Sequence, residues 1–154
     1  MEDGGTPDLE HELAHALAAT AADRGWRTGG PVTVRVTVDD RARQGTVRMT
    51  SDSVPGVIRP WSQLLDAGAG VSHDVGDNRV LIGRDDAADI YLEVPEVSRL
   101  HAILFREAGK AWITDLDSAN GTFANETPVA ERAGVLRPGD TVRFGAATFA
   151  FRMR

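Results

Sequence analysis

From about residue 57 onward the chain is cut into short apolar stretches, WSQLL, RVLIG, LHAILF, KAWITDL, DTVRFG and TFAFRM, by clusters of Gly, Asp, Asn and Pro. Stretches of this length, bounded by turn formers, read as strands, and several at close spacing build a β-sandwich. In the last two stretches Val142 and Phe144 face Phe149 and Phe151 in alternation, with Gly145 and Ala146 at the turn. Side chains two apart on a strand share a face, so these four residues belong to one apolar layer. The fold class is therefore mainly β.

The first fifty residues follow another pattern. Thr6 and Pro7 supply a helix cap and a first helical position, and Leu9, Leu13, Ala16 and Leu17 fall on one face. A helix from about Pro7 to Arg24 is expected, ended by Gly25, with its leucines turned inward. After Gly29, Gly30 and Pro31, the run VTVRVTV places Val32, Val34, Val36 and Val38 on one side, and GTVRMT alternates again beyond the DDRARQ turn. This reads as a β-hairpin, which is marginal alone and must lean on the rest of the chain. The expected organisation is a helix and hairpin over residues 1–52, a linker over 53–59 and a β-sandwich over 60–154.

Composition narrows the partners. No apolar run approaches the roughly 18 to 20 residues that span a bilayer, so no membrane insertion is expected. The acidic start MEDGGTPDLE lacks the basic and apolar parts of an export signal, which makes the cytoplasm the expected location. A net charge of -6 argues against nucleic acid, which needs a basic face. The absence of cysteine excludes disulfides, thiol nucleophiles and thiolate metal sites.

Two catalytic patterns need testing. HELAH at 11–15 matches the H-E-x-x-H zinc motif of metalloproteases. On a helix with Leu9 at zero, Leu13 and Leu17 lie at about 40° and 80°, whereas His11 and His15 lie at about 200° and 240°. The histidines therefore sit on the solvated face; a zincin also needs a third protein ligand and a walled cleft, and neither His73 nor His101 lies in a metzincin extension, although carboxylates that could ligate are plentiful. Ser98, His101 and Asp115 suggest a nucleophilic triad, but PEVSRLHAI has no glycine elbow. If that segment is extended, Ser98 and His101 are about 10 Å apart on opposite faces. No catalytic residue, metal or cofactor is expected, and a zinc hydrolase stands as the remote alternative.

LIGR (81–84), DIYL (89–92), VSRLHA (97–102), TDLDSANGTFAN (114–125) and LRPGDTVRFG (136–145) together resemble the forkhead-associated, or FHA, domain in order and spacing. The resemblance covers about Pro60 to Arg154 and is to bacterial, actinobacterial-type proteins. AADRGWRTGGPVTVRVTVDD, in the first piece, resembles the tail of the domain that precedes FHA domains in actinobacterial signalling proteins linked to serine/threonine kinases and cell-wall synthesis.

The FHA resemblance implies a sandwich of about eleven strands whose end loops recognise phosphothreonine peptides. It further implies a non-catalytic adaptor downstream of a serine/threonine kinase, in cell-wall or growth regulation. The expected partner is a threonine-phosphorylated protein, either the kinase or its substrate. Arg84 offers a planar fork to two phosphate oxygens, Ser98 a hydroxyl hydrogen bond, and Arg99 a second positive charge. Asn120 maps to the family asparagine that bonds the peptide main chain. Gly83, His101, Gly121 and Asn125 are expected to support the site structurally.

Two departures are evident. Ala119 replaces a longer or polar residue, which removes one contact, and NET at 125–127 replaces an Asn-Gly turn, which suggests a longer loop. Glu96 is placed to disfavour acidic residues after the phosphothreonine. The alternative within the same fold is a phosphorylation-independent scaffold.

Overall fold

The computed structural model describes residues 6–53, 58–129 and 133–154. Eleven strands lie among them: β1 (Ser62–Asp66), β2 (Ser72–Val75), β3 (Arg79–Gly83), β4 (Ile90–Tyr91), β5 (Ala102–Glu107), β6 (Lys110–Asp115), β7 (Thr122–Ala124), β8 (Thr127–Pro128), β9 (Gly134–Leu136), β10 (Thr141–Phe144) and β11 (Ala147–Met153). They form a six-stranded sheet ordered β2-β1-β11-β10-β7-β8 and a five-stranded sheet ordered β4-β3-β5-β6-β9. The ladders are antiparallel except for the short β3–β4 pair, which is parallel.

Period-two alternation builds the core. Val80 and Ile82 of β3, Ala102 and Leu104 of β5, and Ala111 and Ile113 of β6 point inward from one sheet. Leu64, Val142, Phe144, Phe149 and Phe151 meet them from the other, all essentially excluded from solvent. Burying each large side chain contributes about 1.5–3 kcal/mol, so this layer supplies the main driving force for the sandwich. As the parity of the last two stretches requires, Val142 pairs with Phe149 across the β10–β11 hairpin. Trp61 is buried with its indole Nε1 donating to the Asp77 carbonyl at 2.8 Å, and Trp112 stacks half-buried on Phe105.

The N-terminal helix α1 (Thr6–Asp23) ends where glycine predicts. Gly25 takes φ +66°, its N–H reaches the Ala22 carbonyl at 2.9 Å and the Trp26 N–H reaches the Ala21 carbonyl at 2.7 Å. These are the paired bonds of a Schellman stop, which satisfy carbonyls the helix leaves orphaned.

The inward-facing leucines are a correction. Leu9, Leu13 and Leu17 are 43%, 40% and 48% exposed, and Ala21 is the buried residue of the helix. Among the described residues of α1 only Ala21, near its C-terminal end, is buried, so the shared leucine face is left largely open to solvent.

The hairpin expectation is likewise corrected. The chain reverses at Asp39–Ala42, where the Asp39 side chain accepts from the Arg41 N–H at 2.9 Å, but no backbone ladder joins the two alternating runs. Val32, Val34 and Val36 are half-buried and the Val36 N–H donates to Glu10 Oε1, whereas Val38, Val47 and Met49 are exposed. Two strands with one face in water lack the burial that would offset their ordering entropy.

The linker expected at 53–59 falls largely outside the described residues. Before it, Trp26–Thr28 is fastened to the sandwich. Asn78 accepts from the Thr28 N–H and donates to the Trp26 carbonyl, while Arg27 pairs with Asp89 and donates to the Arg79 carbonyl. Among the described residues no helix is long and apolar enough to cross a membrane.

Candidate functional site

The site is built from three connections at one end of the sandwich: residues 84–89 after β3, 92–101 before β5, and 116–121 after β6. Close packing of backbone on backbone holds the first two together. A Cβ added to Gly83 would lie 2.0 Å from the Arg99 carbonyl oxygen, so only glycine lets β3 end this close to the following loop. The Arg84 N–H donates to the Ser98 carbonyl at 3.0 Å and the Asp85 N–H to the Arg99 carbonyl at 3.2 Å.

Arg84 itself is exposed. Its Nε donates to the Val97 carbonyl at 3.2 Å, which orients the guanidinium and leaves both terminal nitrogens without partners among the described residues. Ser98 is half-buried, and its Oγ accepts from the Ala119 N–H at 3.0 Å. That bond uses a lone pair, so the hydroxyl hydrogen stays available for an acceptor. Arg99 is exposed beside it.

His101 ties the second connection to the third. It is fully buried; its Nδ1 accepts from the Ser98 N–H at 3.0 Å and its Nε2 lies 3.1 Å from the Gly121 carbonyl. Accepting at Nδ1 requires the hydrogen on Nε2, the neutral tautomer that donates to Gly121. Burial holds the imidazole below its ordinary value, outweighing the Gly121 bond and the Asp115 charge that favour the cation. The ring meets Phe144 edge-on at 5.7 Å, which fixes its plane against the core.

The separation expected between Ser98 and His101 is corrected: residues 95–100 form turns rather than a strand, which folds the imidazole under the Ser98 backbone. A hydrolytic relay is not assembled by this approach. The ring bonds the Ser98 N–H rather than its hydroxyl, and Asp115 bonds Ser118 and Thr122.

Asp115 is a support that sequence reasoning missed in this role. Its carboxylate accepts from the Ser118 N–H at 2.9 Å and from the Ser118 and Thr122 hydroxyls at 2.6 Å each, and Ser118 Oγ accepts from the Gly121 N–H at 3.0 Å. Burial is the largest single influence and raises its pKa, but the Ser118 and Thr122 bonds and the nearby His101 together hold it below the ordinary carboxylate value. The D-x-x-S spacing of an Asx-type turn was the signal available for it.

Gly121 takes φ +79°, and its carbonyl accepts from the Gly145 N–H as well as from His101. Asn120 is exposed and donates from Nδ2 to the Glu96 carbonyl at 2.8 Å, which leaves its side-chain oxygen free to accept. Ala119 adds no polar side chain, but its backbone N–H is the group that meets Ser98.

Asn125 lies elsewhere. It bonds Asp140 and the Thr141 N–H, both at 2.9 Å, bracing the β7–β8 turn against β10. The longer loop expected there is a correction. Ala124 pairs with Thr127, so Asn125 and Glu126 form a two-residue turn with φ +48° and +62°. The ladder and the Asn125 bonds keep the tight geometry although glutamate stands where glycine would fit without strain. Among the described residues no three His, Asp or Glu side chains converge to hold a metal, and His11 and His15 are exposed.

The FHA domain family matches residues 80–145, which span these three connections. A solved structure concerned with phosphothreonine-dependent FHA domain interactions superposes with TM-score 0.56 at 32% identity, covering 60% of this chain and 96% of that one. The chain belongs to the FHA family. Among the FHA relatives, FhaA of Mycobacterium tuberculosis is 35% identical over 89 residues, covering 58% of this chain and 16% of FhaA. The glycogen accumulation regulator GarA of Mycolicibacterium smegmatis is 39% identical over 69 residues, covering 45% of this chain and 42% of GarA. This FHA chain thus spans less than half the length of either relative. Mycobacterium tuberculosis EmbR, solved with a low-affinity phosphopeptide, superposes with TM-score 0.57 at 29% identity over 60% of this chain and 24% of EmbR.

Proposed function

We propose that this chain binds threonine-phosphorylated proteins through residues 60–154 and serves as a non-catalytic adaptor beside a serine/threonine kinase in the cytoplasm. The observation that carries this reading is the set of uncommitted polar groups on adjacent loops. Arg84 has its terminal nitrogens free, Ser98 its hydroxyl hydrogen, and Asn120 its side-chain oxygen. A phosphate of about -2 would take charge-assisted bonds from Arg84 and Ser98, with Arg99 adding positive charge. The Asn120 oxygen would accept a peptide N–H. Gly83, His101 and Gly121 act on this chemistry through the loops they hold. The EmbR phosphopeptide complex and the phosphothreonine-dependent interactions of the related FHA structure support the same chemistry.

Calorimetry of a phosphothreonine peptide library against the folded chain tests it. A micromolar complex corresponds to about -8.2 kcal/mol, and charge-assisted bonds of roughly 1.5–3 kcal/mol each are a large part of that. Arg84→Ala should therefore abolish measurable binding while the circular dichroism spectrum is retained. Equal affinity for phosphorylated and unphosphorylated peptides, or unchanged affinity in the variant, would overturn the pocket and favour a phosphorylation-independent scaffold.

A further inference from the structure

Beside Arg84 the surface forms an open cleft lined by Arg84, Tyr91, Glu93 and Pro95. Its form follows from β4. This strand is two residues long, lies at the edge of the five-stranded sheet and, among the described residues, pairs only with β3, through Ile82↔Ile90 and Gly83↔Tyr91. Alternation sends Ile90 and Leu92 into the core and turns Tyr91 and Glu93 out on one side. The Leu92 N–H continues the pairing to the Gly83 carbonyl at 2.9 Å, and a bond from the Val97 N–H to the Val94 carbonyl at 2.9 Å closes the turn that carries Pro95. The cleft wall is thus anchored at both ends to the backbone that presents Arg84 and Ser98.

Away from Arg84 the cleft is aromatic and acidic. Tyr91 is 43% exposed, and Glu93 forms no ion pair among the described residues. An aromatic face attracts cations through its quadrupole, and a carboxylate two residues further along the extended chain, about 7 Å away, is within reach of the same guanidinium or ammonium group. Pro95 offers apolar surface to the methylene stem of such a side chain.

Resting on the phosphothreonine reading above, we infer that this cleft is a specificity subsite. It takes an arginine or lysine side chain flanking the phosphothreonine, with the cation against the Tyr91 ring and the Glu93 carboxylate. An acidic residue at that peptide position meets Glu93 and is disfavoured.

Fluorescently labelled phosphothreonine peptides in which each flanking position in turn carries Arg, Ala or Glu test this by their affinity ratios. At one position on the cleft side, Arg should bind about tenfold more tightly than Ala, the combined effect of one partly exposed cation–π contact and one exposed ion pair. Glu93→Gln should reduce that ratio, and Glu93→Gln with Tyr91→Leu should bring it to about one. Glu93 is exposed, so its substitution decides the matter even where Tyr91→Leu fails to fold. Phosphate-dependent binding with no preference for Arg at any position, or a preference that survives Glu93→Gln unchanged, overturns the subsite alone. A wild-type chain that binds none of the phosphothreonine peptides overturns the functional reading and the subsite together.

Discussion

Replacing His101 with phenylalanine isolates what the buried imidazole does for the loops. An aromatic ring, somewhat larger than the imidazole, stays against Phe144, and two hydrogen bonds are lost. The losses differ in kind. The Gly121 carbonyl still accepts from the Gly145 N–H at 3.1 Å, so losing Nε2 removes an ordinary bond worth about 0.5–1.5 kcal/mol. The Ser98 N–H has no other acceptor among the described residues, and leaving it unsatisfied costs about 1–3 kcal/mol. The sum, roughly 1.5–4.5 kcal/mol, is a substantial part of the 5–15 kcal/mol that stabilises an ordinary domain.

Urea unfolding should show this as a lower midpoint with an unchanged slope. The pH dependence gives a second readout with a definite sign. Because the folded imidazole titrates below its ordinary value near 6.5, the unfolded chain binds more protons as the pH drops beneath that value. The contribution of His101 is fully present above about pH 6.5 and is lost as the pH falls toward the lowered folded pKa. Asp115, also lowered, loses its contribution only below the ordinary carboxylate range, so the two steps separate. In His101→Phe the upper step should vanish while the lower one persists. A variant within 0.5 kcal/mol of wild type, or one that keeps the upper step, would refute the assignment of His101 as the brace between Ser98 and Gly121.

Other substitutions probe the remaining structure. Gly83→Ala forces a Cβ against the Arg99 carbonyl carbon and oxygen, which are backbone atoms, and should cost about 3 kcal/mol or more and impair peptide binding at temperatures where the chain is folded. Thermal unfolding followed by circular dichroism measures the first effect. Glu126→Gly relieves a positive-φ glutamate and should raise Tm, with a gain of about 0.5–1 kcal/mol after the entropy of the added glycine is counted; a decrease would mean that the Arg143–Glu126 ion pair matters more than the backbone. Leu13→Gln in α1 should change the urea midpoint by less than the equivalent of about 0.5 kcal/mol, whereas a large loss would show that the leucine stripe is covered in solution.

Legibility tracked the range of the interactions involved. The strand pattern and the inward parity of Val142, Phe144, Phe149 and Phe151 could be read because alternation is a local property of an extended chain. The stop at Gly25 was legible because a helix end asks for one residue of left-handed conformation. The proximity of Ser98 and His101 was not legible, because the chain turns over residues 95–100 where an extended segment would hold the two apart. Ala119 bonding Ser98, Asn120 bonding Glu96 and Gly121 meeting His101 join residues about twenty apart, and periodicity says nothing of such pairs.

By itself the sequence determined that this chain makes a β-sandwich, which residues enter its core, and the order in which Arg84, Ser98 and Asn120 follow one another. These are consequences of side-chain period and turn chemistry, which act between near neighbours. Tertiary structure decided which apolar faces were covered and which polar groups were left uncommitted. The α1 leucines and the valines of residues 32–38 share faces by sequence, but burial needs an opposing layer, and only the end of the helix and part of the valine run find one. Arg84, Ser98 and Asn120 each use one hydrogen-bonding group to hold the loops and keep another free, a division that exists only once the three connections are folded against one another.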